Sequence, residues 1–193
     1  MRALAVMTIL AALVFPSGHA SASPPIDISA ENLQTLQTQA AHGNAQAQVN
    51  LGVMYADGQG VPQDLVTARG WYEKAAAQGH AVAQYYLGRM YFKGESVSKD
   101  YTKARQWWEQ AAAHGNSWSQ VNLGWMYLDG QGVPMSLVQA YMWLNLAVAY
   151  STGDEQKFAV KTRDDIAHQM TPAQIAEANR LTQQCQAQQF KGC

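Results

Sequence analysis

The chain is predicted to be an all-α solenoid of helix pairs, and three observations predict it. The pentapeptide Leu51-Gly52-Val53-Met54-Tyr55 returns as Leu87-Gly88-Arg89-Met90-Tyr91 and as Leu123-Gly124-Trp125-Met126-Tyr127, each copy 36 residues after the last. The same offset relates Gly43, Gly79 and Gly115, then Gly58, Gly94 and Gly130, Val61, Val97 and Val133, Ala68, Ala104 and Ala140, Trp71, Trp107 and Trp143, and Ala75, Ala111 and Ala147. Between the glycines the apolar residues fall at helical spacing and nowhere alternate as a strand would. A period of this size with glycine punctuation marks stacked helix pairs, each unable to bury its apolar stripe alone.

Taken in order, residues 1–22 read as a cleaved export signal: Arg2 gives a positive start, Leu4 to Phe15 is almost wholly apolar, and Pro16 to Ala22 is small and polar. Cleavage after Ala20 or Ala22 fits the small residues at both exits, and neither site carries a cysteine for a lipid anchor. The apolar run is shorter than the roughly 18 residues a membrane anchor needs. Nothing later in the sequence could span a bilayer. The mature chain is therefore expected in the periplasm or outside the cell, as a monomer.

Residues 23–40 are a linker with Pro24-Pro25 followed by an N-terminal capping helix, in which Asp27 or Ser29 can cap a run carrying Leu33, Leu36 and Ala40. The repeats are expected at 41–76, 77–112 and 113–148. Within each, the first helix runs over Ala45–Asp57, Ala81–Lys93 and Ser117–Asp129, stopped by a glycine able to take the left-handed conformation. Gly52 is read as letting the second helix come close at Ala68. The second helices begin after Asp64, Asp100 and Ser136, all good N-cap residues. They carry an i, i+3, i+4, i+7 apolar pattern in which Trp107 is the expected wedge of the central repeat. In the third repeat, Tyr141, Asn145 and Leu146 stand where the first has Arg69, Glu73 and Lys74, so that helix should be covered on more sides. The cover is expected from residues 149–193, with Phe158, Thr162 and Ile166 on one face, then a helix opened by the capping box Thr171-Pro172-Ala173-Gln174. From Cys185 on, the tail is polar and offers little to bury.

Composition narrows the function. Thirteen Lys and Arg against 14 Asp and Glu give a formal net charge of -1, with no basic run, which disfavours a nucleic-acid partner. The two cysteines, Cys185 and Cys193, either close a small loop in an oxidising compartment or remain free thiols on the tail. A bridge there would stabilise the fold by about 2 to 3 kcal/mol. Ser96-Val97-Ser98-Lys99 matches the S-x-x-K of serine acyl-enzymes, but neither S-D-N nor K-T-G accompanies it. His42 and His114 share a repeat position too far apart for one ion, and no thiol or carboxylate set completes a site. No catalytic residue, cofactor or metal is expected.

The pattern A-x-x-G-x-x-x-A-Q-x-x-L-G-x-M-Y-x-x-G, then V-P-x-D, then A-x-x-W-x-x-x-A-A resembles the Sel-one-like repeat, a relative of the tetratricopeptide repeat. Residues 41–148 carry three copies, and Met170 to Ala178 is similar to the way many such chains close, in the exported bacterial type. The resemblance implies a right-handed α/α solenoid with N- and C-terminal capping helices, serving as a protein-interaction module. It also implies a concave groove lined by the first helices. Counted from the Leu-Gly pair, the groove comprises Gln46, Val49, Val53, Ala56 and Asp57 in repeat one and Val82, Tyr85, Arg89, Phe92 and Lys93 in repeat two. Repeat three contributes Trp118, Val121, Trp125, Leu128 and Asp129. Large residues that vary between repeats are of the kind that makes binding hot spots, unless terminal helices cover them. The expected partner is a protein or peptide segment. The alternatives are a cell-wall or β-lactam hydrolase and a secreted effector that engages a host protein.

Overall fold

The computed structural model describes the backbone of residues 30–190 and 193, with side chains from Leu33 onward. The export segment 1–22, most of the linker and the proposed first cap at Asp27 or Ser29 lie outside the described residues. Among the described residues all regular structure is helical, in the order α1 (Ala30–Ala41), α2 (Ala45–Asp57), α3 (Leu65–Ala76), α4 (Ala81–Lys93), α5 (Tyr101–Ala113), α6 (Ser117–Asp129), α7 (Leu137–Tyr150), α8 (Gly153–Ala167) and α9 (Pro172–Ala187). None of them is long and apolar enough to cross a membrane.

The helix limits follow from caps that recur with the repeat. Asn44, Asp64, Asp100, Asn116 and Ser136 each accept a backbone N–H of the first turn, an interaction typically worth about 1 kcal/mol. Gly58, Gly94 and Gly130 end α2, α4 and α6 at φ of 70°, 79° and 68°, the left-handed conformation that glycine takes without cost. The loop that follows folds back so that the N–H groups of Asp64, Asp100 and Ser136 donate to the carbonyls of Tyr55, Tyr91 and Tyr127 at 2.8, 2.9 and 2.8 Å. The last turn of one helix and the first turn of the next thus satisfy each other.

Each Leu-Gly pair sets the approach of its two helices. A side chain at Gly52 or Gly88 would collide with the ring of Tyr72 or Trp108, and one at Gly124 would meet Leu144 Cγ at 3.0 Å and the Ala140 carbonyl at 3.3 Å. The glycines therefore make room chiefly for Tyr72, Trp108 and Leu144, with Ala68, Ala104 and Ala140 alongside at 0% exposure. This corrects the assignment of Trp107 as the central wedge. Trp108 is the indole sealed at 1% exposure, while Trp107 is partly buried against the core of the preceding repeat. Neighbouring residues on a helix differ by about 100° in direction, and the sequence pattern chose the wrong one of two adjacent tryptophans.

The ends of the array are half-repeats. Gln48, Gln84 and Gln120 donate through Nε2 to the carbonyls of Ala40, Ala76 and Ala112 at 3.0, 3.5 and 3.4 Å, and Gln156 of α8 donates to Val148 in the same register at 3.0 Å. By this ladder α1 occupies the place of a second helix before repeat one, and α8 that of a first helix after repeat three. The outer side of α8 carries the exposed Lys157, Lys161, Asp164 and Asp165, the polar face a solenoid end requires. Helix α9 packs on α7. There Met142 and Leu146, at 2% and 0% exposure, replace Gly70 and Lys74 of repeat one and Gln106 and Gln110 of repeat two. Asn145 donates to Asn179 across this contact at 2.9 Å.

The tail is more ordered in its contacts than its polarity suggested. Cys185 is buried, Cys185 and Cys193 are joined in a disulfide with Cα atoms 5.4 Å apart, and Phe190 meets the Tyr150 ring edge-on at 5.5 Å.

Candidate protein-binding face

Helices α2, α4 and α6 form one layer, and side-chain hydrogen bonds at the N-terminal ends join α2 to α4 and α6 to α8. His80 Nε2 lies 3.2 Å from Gln46 Oε1, and Ser117 Oγ donates to Glu155 Oε1 of α8 at 2.5 Å. Because a helix turns every 3.6 residues, the outward stripe of each runs through positions i, i+4, i+7 and i+11. These are Gln46, Asn50, Val53 and Asp57; Val82, Tyr86, Arg89 and Lys93; and Trp118, Asn122, Trp125 and Asp129.

Several predicted lining residues belong elsewhere. Phe92, at 5% exposure, packs between Tyr101 and Trp108 with ring centroids 5.1 and 5.2 Å away, and Val121, at 2%, sits in the cluster closed by Ala159 and Ile166 of α8. Both are core and are removed from the candidate face, as are their equivalents Val49 and Ala56. These positions look toward the next repeat rather than outward, and each following helix covers them. Tyr85 shares that register but is only partly buried, its ring packing against the core. Burial pushes its phenol up to about 12 against the opposing pull of the Arg89 cation. Val82, Arg89, Trp118, Trp125 and Leu128 remain half-buried, and Lys93 and Asp129 are exposed. Trp118 leans toward Phe158 of α8, with centroids 6.2 Å apart, so the terminal helix borders the face without sealing it.

Val53, Tyr86 and Asn122 are buried in this stripe, at 9%, 7% and 8% exposure, and form its floor rather than its exposed lining; Tyr86 and Asn122 are not among the predicted residues. The i+4 position between two named lining residues could have found them, since it completes the stripe. Tyr86 stacks on Tyr72 at 4.8 Å with an interplanar angle of 11°, touches Tyr85 edge-on at 5.3 Å, and carries the Arg89 guanidinium 5.0 Å above its ring. Arg89 thus sits at the centre of the layer in a nest of three tyrosines. Asp57 and Glu95 act on the same rings, and Lys93 pairs with Glu95 at 3.5 Å. Toward the edges, partial desolvation raises the pKa of the largely exposed Asp129, and burial raises that of Glu155, the latter partly offset by the Ser117 hydroxyl.

The other candidate chemistry is dispersed. Ser96 lies in the loop after α4 with φ of 58°, its hydroxyl has no hydrogen-bond partner, and the Lys99 ammonium rests 5.8 Å above the Tyr101 ring. The S-x-x-K spacing therefore brings no base to the serine. His42 Nδ1 is 2.7 Å from the Thr38 carbonyl in the first turn, while His114 lies near Gly79. Among the described residues no group of three His, Cys, Asp or Glu is placed to hold a metal ion.

These features define a class: an α/α solenoid repeat protein whose first helices vary outward from a core of recurring Leu, Gly, Met and Ala positions. The Sel1 repeat matches residues 45–80, 81–116 and 119–153, and the chain belongs to the Sel1 repeat family. The first two matched units begin four residues later than the predicted ones and the third six residues later. Among solved structures, the chain is similar to a Sel1 repeat protein from Oxalobacter formigenes, at 32% identity and a TM-score of 0.64 over 68% of this chain and 54% of that one. It is also similar to c5321, a protective antigen of uropathogenic Escherichia coli displaying an SLR fold, at 29% identity and a TM-score of 0.58 over 86% of this chain and 42% of that one. The chain thus spans about half the length of these proteins or less. No protein of curated function matches it.

Proposed function

We propose that this protein is a non-enzymatic adaptor, exported through the signal at residues 1–22, that holds a peptide segment of a partner protein in the groove of its first helices. Sel1 repeats are generally protein-interaction modules, which supports the coarse reading. One observation carries the finer one. Where the core positions repeat nearly unchanged, the outward positions change from Gln46 and Val53 to Val82 and Arg89 to Trp118 and Trp125, and these larger residues stay half-buried on the surface. Packing does not require them, and partly exposed tryptophan and arginine are the residues that dominate binding energies.

The test is titration of a partner, recovered with the purified protein and identified by mass, against Trp125→Ala and Trp118→Ala, with circular dichroism to establish folding. Each substitution is expected to weaken binding by about 2 kcal/mol or more. Unchanged binding there, with loss on an exposed second-helix substitution such as Gln106→Ala, would move the partner to the opposite layer. Export is tested separately by intact mass, which should show a chain beginning at Ser21 or Ser23.

A further inference from the structure

We infer that the centre of this face recognises a carboxylate, so that the bound segment carries an aspartate or glutamate with an apolar anchor about three residues away on either side. The inference rests on the peptide-binding reading above and specifies the chemistry of the peptide.

Arg69, Arg105, Arg163 and Arg180 each hold a carboxylate of this chain, from Glu73, Glu109, Asp164 and Glu177, at 3.3, 2.7, 2.7 and 2.7 Å. Arg89 holds none among the described residues; its Nε is buried without an acceptor, as are those of Arg69 and Arg105. What it has is the Tyr86 ring beneath it and Tyr72 and Tyr85 within its field. A half-buried guanidinium with no carboxylate at ion-pair distance among the described residues gives up hydration with little return, and repeat architecture does not demand it. The equivalent positions are Val53 and Trp125. The Tyr86 ring 5.0 Å beneath it restricts where the guanidinium can lie before a ligand arrives, and a planar carboxylate is the group that fits its fork.

Charge selects a single carboxylate over a phosphate. Asp57 and Glu95 both act on the Tyr72 ring, Glu95 also pairing with Lys93, and a group carrying close to two negative charges would be opposed more strongly there than one carrying a single charge. The row Val53, Arg89, Trp125 crosses three successive first helices. Neighbouring packed helices stand about 8 to 10 Å apart, and an extended chain advances about 3.3 Å per residue, which gives the spacing of about three residues between anchors.

The experiment is selection of random peptides displayed on phage against the purified protein, followed by titration of the recovered sequences as free peptides. Recovered peptides should share an Asp or Glu between apolar residues, and converting that carboxylate to its amide should weaken binding roughly tenfold or more. Arg89→Gln should weaken the acidic peptide to the same extent and leave the amide peptide unaffected, while Arg89→Lys retains part of the affinity. A melting curve for Arg89→Gln separates this from unfolding. If peptides lose affinity with Trp125→Ala yet ignore both Arg89→Gln and the amide change, the carboxylate inference is overturned and the groove reading stands. It is also overturned if Arg89→Gln weakens acidic and amide peptides alike, since the arginine is then structural. Peptides indifferent to Trp125→Ala and Arg89→Gln together would sink the groove reading itself.

Discussion

Gly88 of α4 and Trp108 of α5 are in direct contact: a β-carbon on the glycine would overlap Cδ1 and Nε1 of the indole. The indole cannot retreat freely, because its Nε1 donates to the Tyr85 carbonyl at 3.1 Å and its faces are enclosed by the core around Phe92 and Met126. Trp108→Ala should therefore cost about 3 to 5 kcal/mol in chemical denaturation, and Trp107→Ala clearly less. Gly88→Ala should destabilise by about 1 to 3 kcal/mol through overpacking, despite the better helix propensity of alanine. Gly70, in the interior of α3, has no atom near its missing β-carbon. Gly70→Ala should stabilise by about 1 kcal/mol, and equal signs for the two glycines would refute the close-approach account.

The repeats also act as controls for one another. Position by position, the first helices open with Asn44, His80 and Asn116, and only the two asparagines cap, through the N–H groups of Ala47 and Ser119. His80→Asn should stabilise the protein by about 1 kcal/mol at neutral pH. Burial lowers the His80 pKa below its usual value. The unfolded chain therefore binds a proton more readily than the folded one, so this residue makes stability fall as pH drops below about 6.5, the unperturbed histidine value, through its lowered folded value. Thermal melts of wild type and His80→Asn across pH 7 to 5 should diverge as acid is added. Parallel curves would show that this histidine does not couple to folding.

The disulfide should hold the C-terminal cap rather than the array. Cys185–Cys193 closes a segment with a sequence separation of 8, for which the loop-entropy estimate is about 2 to 3 kcal/mol. Replacing both cysteines by serine should lower the melting temperature and raise hydrogen exchange in α9, with α2 to α5 unchanged. Equal loss of protection throughout would mean that α9 and the repeats unfold as one unit.

Periodicity made the fold legible and left parts of the face obscure, for a definable reason. Helix limits depend on local caps, and Asp64, Gly58 and Asn116 declare themselves by residue type and offset. Which side of a helix is outermost depends on the neighbour's position, and a helix wheel alone does not supply it. Phe92 and Val121 are buried because the next helix covers positions that look free within one repeat, and Tyr86 is buried beside the more exposed Tyr85. Gln156 is the instructive case. Its register with Gln48, Gln84 and Gln120 was present in the sequence, but the residues around it had changed enough to hide a fourth first helix.

That glutamine ladder yields the last prediction. Gln48, Gln84 and Gln120 are buried at 4%, 3% and 0% exposure, and each closes a carbonyl at the end of a preceding second helix where no water reaches the amide. Deleting the amide leaves a buried carbonyl without a donor, which costs about 1 to 3 kcal/mol. In an array where each repeat touches only its neighbours, the consequence depends on place. Gln120→Ala cuts the junction between repeats two and three, so the whole molecule should lose stability and unfold at lower denaturant. Gln156→Ala cuts the junction between α7 and α8 beyond the last full repeat. There the expected result is local, with faster amide exchange in α8 and at Ser117, whose hydroxyl holds Glu155, and a nearly unchanged midpoint for the rest. Hydrogen exchange by mass spectrometry on the two variants measures both. If Gln156→Ala lowers the global midpoint as much as Gln120→Ala does, α8 is an integral part of the cooperative core and not a half-repeat closing its end.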